Sequence, residues 1–355
     1  MTQTFNAKKS TGQNQCQWIA ADVPTKRLNF QGFNFSYKHI NPQTSKCIPT
    51  LFISGAFQSM QSWYRFAKYF LTKGKPVIMV DLPGTGESDP LPSDFGQDFL
   101  AESIGLMLAD AGVERVSIVA ASYGTPTAYC FSQAFPDKIE QLILCGTMRE
   151  IPDYVKEGLS HTLITLKSGS IENFANEVMG FSGPYQGQGL LCTDSSRKIT
   201  KHKVAMRLLY GQLISMTPLE KTKYELNTLR LIKHGSMDLN DAPACNTLIF
   251  TGEHDCFTLP CYGKEMANLL KDCTFTTVRH ADHLVHIEQF NTTAELIYHF
   301  SYGIAINSIS NLNPIERLGT RHKLRDPQFS SAPHPFGAVS DNSSFHHPSC
   351  APLAA

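Results

Sequence analysis

The chain has 355 residues, 42% of them apolar and 17% charged, and its 31 basic and 31 acidic side chains cancel to zero net charge. That is enough globular sequence for one large α/β domain with an insertion, or for two domains. A neutral chain without a long basic run excludes general nucleic-acid binding, and the lack of any run of about 18 apolar residues excludes a transmembrane helix.

Residues 1–20 are polar and lack the apolar core of a signal peptide, which predicts a disordered N-terminus and a non-exported, cytoplasmic protein. The ten cysteines form no Cys-x-x-Cys pair, and Cys130 and Cys145 lie in apolar segments. Reduced thiols fit that pattern better than a disulfide framework. Over residues 21–150 and 244–305, short apolar runs alternate with amphipathic stretches. Strands are predicted at 50–54, 77–81, 116–120, 141–145, 247–251 and 274–278, and helices at 62–71, 98–111, 125–135 and 262–270. Strands apolar on both faces and alternating with helices predict an α/β fold, a doubly wound, mostly parallel sheet.

The alternation breaks over residues 151–243, where only helical patterns appear. One begins at Thr217, an N-cap, followed by Pro218 at the first helical position and Glu220 closing a capping box, and it should stop near Gly235. An all-helical insertion in an α/β sheet reads as a cap or lid over a site. The tail, 311–355, is crowded with Pro, Ser, Asn and His and is predicted to be disordered; His346 and His347 would bind metal there only adventitiously.

The chemistry centres on Val119-Ala120-Ala121-Ser122-Tyr123-Gly124, between a buried strand and a helix. A nucleophilic serine needs a sharp strand-to-helix turn that projects its oxygen, with small residues on either side so that neighbouring backbones can approach. An N-cap serine would need no such flanks. A serine hydroxyl also needs a base. The run Gly252-Glu253-His254-Asp255 follows one predicted strand, and the stretch from His280 to Glu288, containing His283, follows the next. Ser122, Asp255 and His283 then all fall at C-terminal strand ends, where open α/β sheets place their sites. Asp255 could instead cap its loop, but it stands one strand ahead of a histidine. His280 precedes the turn of that loop and His286 lies one helical turn beyond, which leaves His283 as the base.

Three histidines at 280, 283 and 286 have no recognised zinc spacing, so no metal and no cofactor is expected. Gly84-x-Gly86 lacks the third glycine of a dinucleotide fingerprint and reads as a turn. Arg197-Lys198 and Lys201-His202-Lys203 form a basic cluster on a predicted helix, either a solvated face or a contact for the phosphates of coenzyme A or an acyl-carrier protein. Met206, Leu208, Leu209, Leu213 and Met216 either line a pocket or pack the helices.

Over about residues 28–303 the chain resembles the α/β-hydrolase superfamily. Ser54-Gly55-Ala56-Phe57 with Trp63 is similar to its oxyanion loop, and Asp81-Leu82-Pro83-Gly84-Thr85-Gly86-Glu87-Ser88 to its Asp-x-x-Gly-x-Gly-x-Ser turn. The elbow at Ser122 and the loops of Asp255 and His283 follow in the family's order. The resemblance implies a triad of Ser122, His283 and Asp255, and oxyanion-hole N–H groups on Ala56 and Tyr123. Ser54 stands where most members have His, Ala120 where they have Gly, and Asp282 where Gly precedes the histidine. A serine at the elbow sets the chain apart from epoxide hydrolases and haloalkane dehalogenases, which attack through a carboxylate. A narrower similarity joins Ser62-Trp63, the elbow and the Gly252 to Thr258 segment to bacterial 3-hydroxyacyl-ACP acyltransferases of rhamnolipid and polyhydroxyalkanoate pathways.

The expected activity is hydrolysis of a carboxylic ester or thioester through an acyl-enzyme on Ser122. Acyl transfer from a CoA or carrier-protein thioester to an acceptor other than water is the alternative. A hydrolase fold that binds a ligand without turnover is the third.

Overall fold

The computed structural model of the protein describes residues 23–42, 45–239 and 242–320. Among these, nine strands form one sheet: β1 (Lys26–Phe30), β2 (Phe33–Ile40), β3 (Thr50–Ile53), β4 (Val77–Asp81), β5 (Val116–Ala121), β6 (Ile139–Cys145), β7 (Asn246–Gly252), β8 (Cys273–Val278) and β9 (Glu316–Leu318). Their order is β1-β2-β4-β3-β5-β6-β7-β8-β9. The strands from β3 to β8 pair in parallel. Antiparallel pairs β1–β2, β2–β4 and β8–β9 close the two margins.

The central strands are buried on both faces because side chains alternate between two apolar layers. Leu51 and Ile53 join one cluster and Phe52, between them, joins the other. Helices α2 (Gln97–Ala111), α3 (Thr125–Ala134) and α8 (Pro260–Leu269) pack on the first face; α1 (Tyr64–Thr72) and α10 (Phe290–Ser301) cover the second. α9 (Val285–Glu288) is a single turn before α10.

Sequence patterning found the six inner strands but not β1, β2 or β9. β1 carries Lys26 and Arg27 and is largely exposed, as an edge strand can be. Its hairpin turns at Gln31 and Gly32, whose φ angles are both positive (48° and 94°), as a tight two-residue connection demands. The tail assignment from residue 311 is corrected over its first ten residues. Arg279 N–H donates to Asn311 O (2.8 Å), Asn313 N–H to Thr277 O (2.9 Å), and β9 then pairs with β8. Three residues with two charges carried too little apolar signal to read as a strand. The disorder expected for residues 1–20 and 321–355, and with it His346 and His347, lies outside the described residues.

Among the described residues, four helices stand between β6 and β7: α4 (Asp153–Lys167), α5 (Ile171–Met179), α6 (His202–Ile214) and α7 (Pro218–His234). The capping box of α7 is formed as read. Thr217 Oγ1 accepts the Glu220 N–H at 3.2 Å, and Glu220 Oε2 accepts the Thr217 N–H at 2.7 Å. Phe174, Leu191, Leu209 and Leu213 bury themselves between these helices, in a cluster that also takes in Leu284 and borders Phe57. The basic cluster needs correction. Arg197, Lys198 and Lys201 lie in turns before α6, and only His202 and Lys203 are on the helix. Lys201 sits at φ 56°, a left-handed residue at which the helix begins. No helix of the described residues is long and apolar enough to cross a membrane.

Candidate active site

β5 ends at Ala121, and the chain then reverses sharply into a 3-10 turn and α3. Ser122 occupies the bend with φ 45°, a left-handed conformation that costs a non-glycine residue about 1–3 kcal/mol and persists only where its surroundings enforce it. The enforcement comes partly from Gly124. A Cβ there would lie 2.7 Å from the Ser54 carbonyl oxygen and 2.8 Å from Ile53 Cγ2, so only glycine lets β3 lie this close to the elbow. Ala120 is fully buried within the sheet, which accommodates its methyl.

Three side chains that are distant in sequence meet here. His283 Nε2 lies 3.0 Å from Ser122 Oγ, and His283 Nδ1 lies 2.9 Å from Asp255 Oδ2. Asp255 is held by four further donors. The N–H groups of Phe257 (3.0 Å) and Thr258 (2.8 Å) reach Oδ1, while the hydroxyls of Thr258 (2.6 Å) and Thr251 reach Oδ2. Burial alone would raise the Asp255 pKa, but His283 and these hydroxyls reverse it, so the carboxylate stays below its ordinary range and ionised. Burial alone would likewise lower His283. Asp255, supported by the charge of Asp282, outweighs that and holds the imidazole above 6.5.

The other two histidines are elsewhere. His280 packs toward Glu253, with Nδ1 3.6 Å from its carboxylate. His286 pairs through Nε2 with Gln58 Nε2 at 2.9 Å, and burial pushes its pKa down to about 4, so it is a neutral acceptor. Gln58 in turn accepts the Gly55 N–H at 2.8 Å. His286 therefore helps fix the loop bearing Ala56 rather than competing for Ser122. Ser54 has taken the role of a brace, since Trp63 Nε1–H donates to its Oγ at 3.1 Å. The turn at 81–88 is also a strut. Asp81 accepts the Met60 N–H (2.7 Å) and the Glu87 N–H (3.2 Å), and a Cβ on Gly86 would collide with its carboxylate.

Ser122, Tyr123 and Ala56 border one cavity of about 230 Å³ between the sheet's C-terminal edge and the inserted helices. Its walls are mostly apolar and aromatic, including Phe57, Val155, Leu159, Tyr224 and Phe257. Met216 reaches it, whereas Leu209 and Leu213 pack the helix core and Leu208 is exposed. None of the basic side chains at 197–203 lines it.

Two contacts that sequence reading missed join the inserted helices to the site. Gln212 Nε2 donates to the Phe57 carbonyl, on the loop that bears Ala56. Arg230, on α7, is fully buried and donates to the Tyr123 hydroxyl (3.0 Å), to the carbonyls of Leu91, Pro92 and Phe95, and to Asn227 Oδ1. A charged residue on an amphipathic helix gives no sequence signal of such burial. Arg230→Met should lower stability by at least about 3 kcal/mol, because several buried acceptors lose their donors at about 1–3 kcal/mol each. Urea melts will check it against Lys233→Ala. That change breaks only an exposed ion pair with Asp94 and should cost less than about 1 kcal/mol.

Residues 49–290 match the family model described as alpha/beta hydrolase fold. A 2-hydroxy-6-oxononadienedioate/2-hydroxy-6-oxononatrienedioate hydrolase of Paraburkholderia phymatum is 33% identical over 86 residues, which span 24% of this chain and 30% of that enzyme. The chain thus matches under a third of that relative's length. Among solved structures, a thermophilic esterase from Thermogutta terrifontis superposes with a TM-score of 0.65 at 18% identity, covering 79% of this chain and 99% of the esterase. The enol-lactonase of Burkholderia xenovorans gives a TM-score of 0.64 at 16% identity, over 78% of this chain and 99% of the lactonase.

Proposed function

The chain belongs to the α/β-hydrolase fold family, and on that premise we propose that it hydrolyses a carboxylic ester or thioester of small-to-medium acyl size through an acyl-enzyme on Ser122. The observation that carries this reading is the unbroken line from Asp255 through His283 to the Oγ of a strained, cavity-facing Ser122.

In the proposed reaction, His283 Nε2 takes the Ser122 proton as Oγ attacks the acyl carbonyl. The backbone N–H groups of Ala56 and Tyr123 receive the oxyanion, each such donor contributing about 3 kcal/mol. The intermediate collapses as His283 returns the proton to the departing alcohol or thiol. Water, deprotonated by the same imidazole, then releases the carboxylic acid and restores Ser122. Asp255 keeps the proton of neutral His283 on Nδ1 and supports the imidazolium.

The apolar walls support an uncharged acyl group. The name of the Paraburkholderia relative points instead to a dianionic acid. Against that, Lys223, the one lysine lining the cavity among the described residues, already donates to the Gly86 carbonyl at 2.8 Å, and two acidic residues, Glu177 and Glu220, share the lining. Incubation with a p-nitrophenyl ester and with a 3-hydroxyacyl thioester, with and without alcohol or thiol acceptors, tests the proposal. Acid release in water alone is expected; product formed only with an acceptor present would replace hydrolysis by acyl transfer.

The pH dependence follows from His283. Below its raised pKa the imidazole is protonated and cannot act as base. kcat/KM should therefore fall as pH drops through a single midpoint above 6.5, with Asp255 ionised and His286 neutral across that range. A midpoint below 6.5 would contradict the pairing with Asp255.

A further inference from the structure

Immediately beside His283, two carboxylates are buried together. Asp282 is 0% and Glu288 1% exposed, and among the described residues no lysine or arginine pairs with either. Asp282 is partly satisfied by backbone donors, Leu284 N–H to Oδ1 at 3.1 Å and Cys192 N–H to Oδ2 at 3.0 Å. Glu288 Oε2 accepts the Asp282 N–H at 2.7 Å. That leaves Glu288 Oε1 without a hydrogen-bond partner, and it faces another orphan, His202 Nδ1 at the start of α6. His202 Nδ1 is 3.7 Å from Glu288 Oε1 and 3.5 Å from Asp282 Oδ2, and the three ligand atoms all lie within 4.8 Å of one another.

Two buried carboxylates with no lysine or arginine partner among the described residues are costly, and an orphaned imidazole nitrogen aimed between them adds to the cost. We propose that His202, Asp282 and Glu288 bind one divalent transition-metal ion of the zinc class, which fastens the inserted helices to the loop that carries His283. The donor set, one imidazole nitrogen and two carboxylates, suits zinc-like ions rather than calcium or magnesium. The spacing agrees as well. Three tetrahedral ligands about 2.1 Å from a metal stand about 3.4 Å apart, close to the 3.5 and 3.7 Å found here. The ligands also come from two parts of the fold that already touch. Thr200 N–H donates to the His280 carbonyl at 2.7 Å, and Gln289 Nε2 to Thr200 Oγ1 at 3.0 Å. A bound ion would close the same seam by coordination at His202.

A second cluster, Glu253, His254 and His280, is partly exposed and less suited. Both oxygens of Glu253 are already engaged, Oε1 by the His280 N–H at 2.6 Å and Oε2 by Asn313 Nδ2 at 3.0 Å.

The test uses the full chain with His346→Ala and His347→Ala, stripped with a chelator, dialysed and titrated with Zn2+ or Co2+ alone. One equivalent should bind, the thermal midpoint should rise, and Co2+ should show the visible bands of tetrahedral coordination. His202→Ala should weaken binding by roughly two orders of magnitude or more and abolish the bands. Glu288→Gln, which keeps the side-chain shape, should do the same, so the proposal stays testable if either variant folds poorly. His254→Ala should bind as before. No stoichiometric binding, binding indifferent to His202 and Glu288, loss through His254, or a response to Ca2+ or Mg2+ but not Zn2+ would each overturn it. In the first case a proton on Glu288 is the neutralising charge instead.

Discussion

Ser122→Ala should reduce kcat on any ester substrate by about 10^6-fold, to the residual rate that the cavity and its N–H donors sustain alone. The loss is so large because the serine, its base and the carboxylate act as a unit. Without Oγ, the imidazole 3.0 Å away has no nucleophile to deprotonate. The variant should fold normally, since the hydroxyl contributes one hydrogen bond at the cavity wall. Thermal melts of wild type and variant should therefore nearly coincide while turnover disappears. Labelling by a fluorophosphonate, read as a mass increase, should be complete in the wild type and absent in the variant. Equal labelling of the two proteins, or no labelling of either, would remove Ser122 from the chemistry and leave a hydrolase fold that only binds.

Asp255→Asn should lower kcat by about 10^4-fold with little change in KM. The substitution is nearly isosteric, but an amide nitrogen facing His283 Nδ1 would turn the proton of the ring onto Nε2. The base would then present a donor to Ser122 where an acceptor is needed. The buried negative charge that raises the His283 pKa would vanish too, so burial would dominate and any residual activity should persist to lower pH than in the wild type. Thr251 and Thr258 would each have to give up or redirect a hydroxyl hydrogen bond at Oδ2, which makes some loss of stability expected as well. Steady-state rates across pH, set beside an unfolding curve, separate the two effects. A fall in kcat smaller than tenfold would mean that another group orients His283.

How much of this could be read beforehand follows the kind of signal involved. Buried parallel strands announce themselves because both faces are apolar, and helix α7 because Thr217, Pro218 and Glu220 each have a local reason to start a helix. Ser122, Asp255 and His283 were legible because each sits just after such a strand, and strand ends converge in this architecture. The edge strands β1 and β9 were not, since an exposed, charged strand has no apolar pattern and depends on its neighbour for definition. Long-range polar contacts were hidden for a different reason. Arg230 and Tyr123 are 107 residues apart, and His202 is separated from Asp282 by 80. Nothing local marks either pair, because what defines each is the burial that folding creates. Thr258 lies between: it fell inside a motif read from the Gly252 segment, but only the structure shows it donating to Asp255.

The Arg230–Tyr123 contact also bears on how this protein could be rebuilt. Inserted segments are natural units to exchange between members of a fold when a new substrate range is sought. Here the exchange would not be modular, because the guanidinium of α7 reaches under the segment and holds Tyr123, the residue next to Ser122. Grafting a foreign 151–243 segment without an arginine at that position would strand Tyr123 and three backbone carbonyls beneath the new helices. A working chimera would have to carry Arg230 and Asn227 across, or redesign Tyr123 and the 84–95 loop along with the graft.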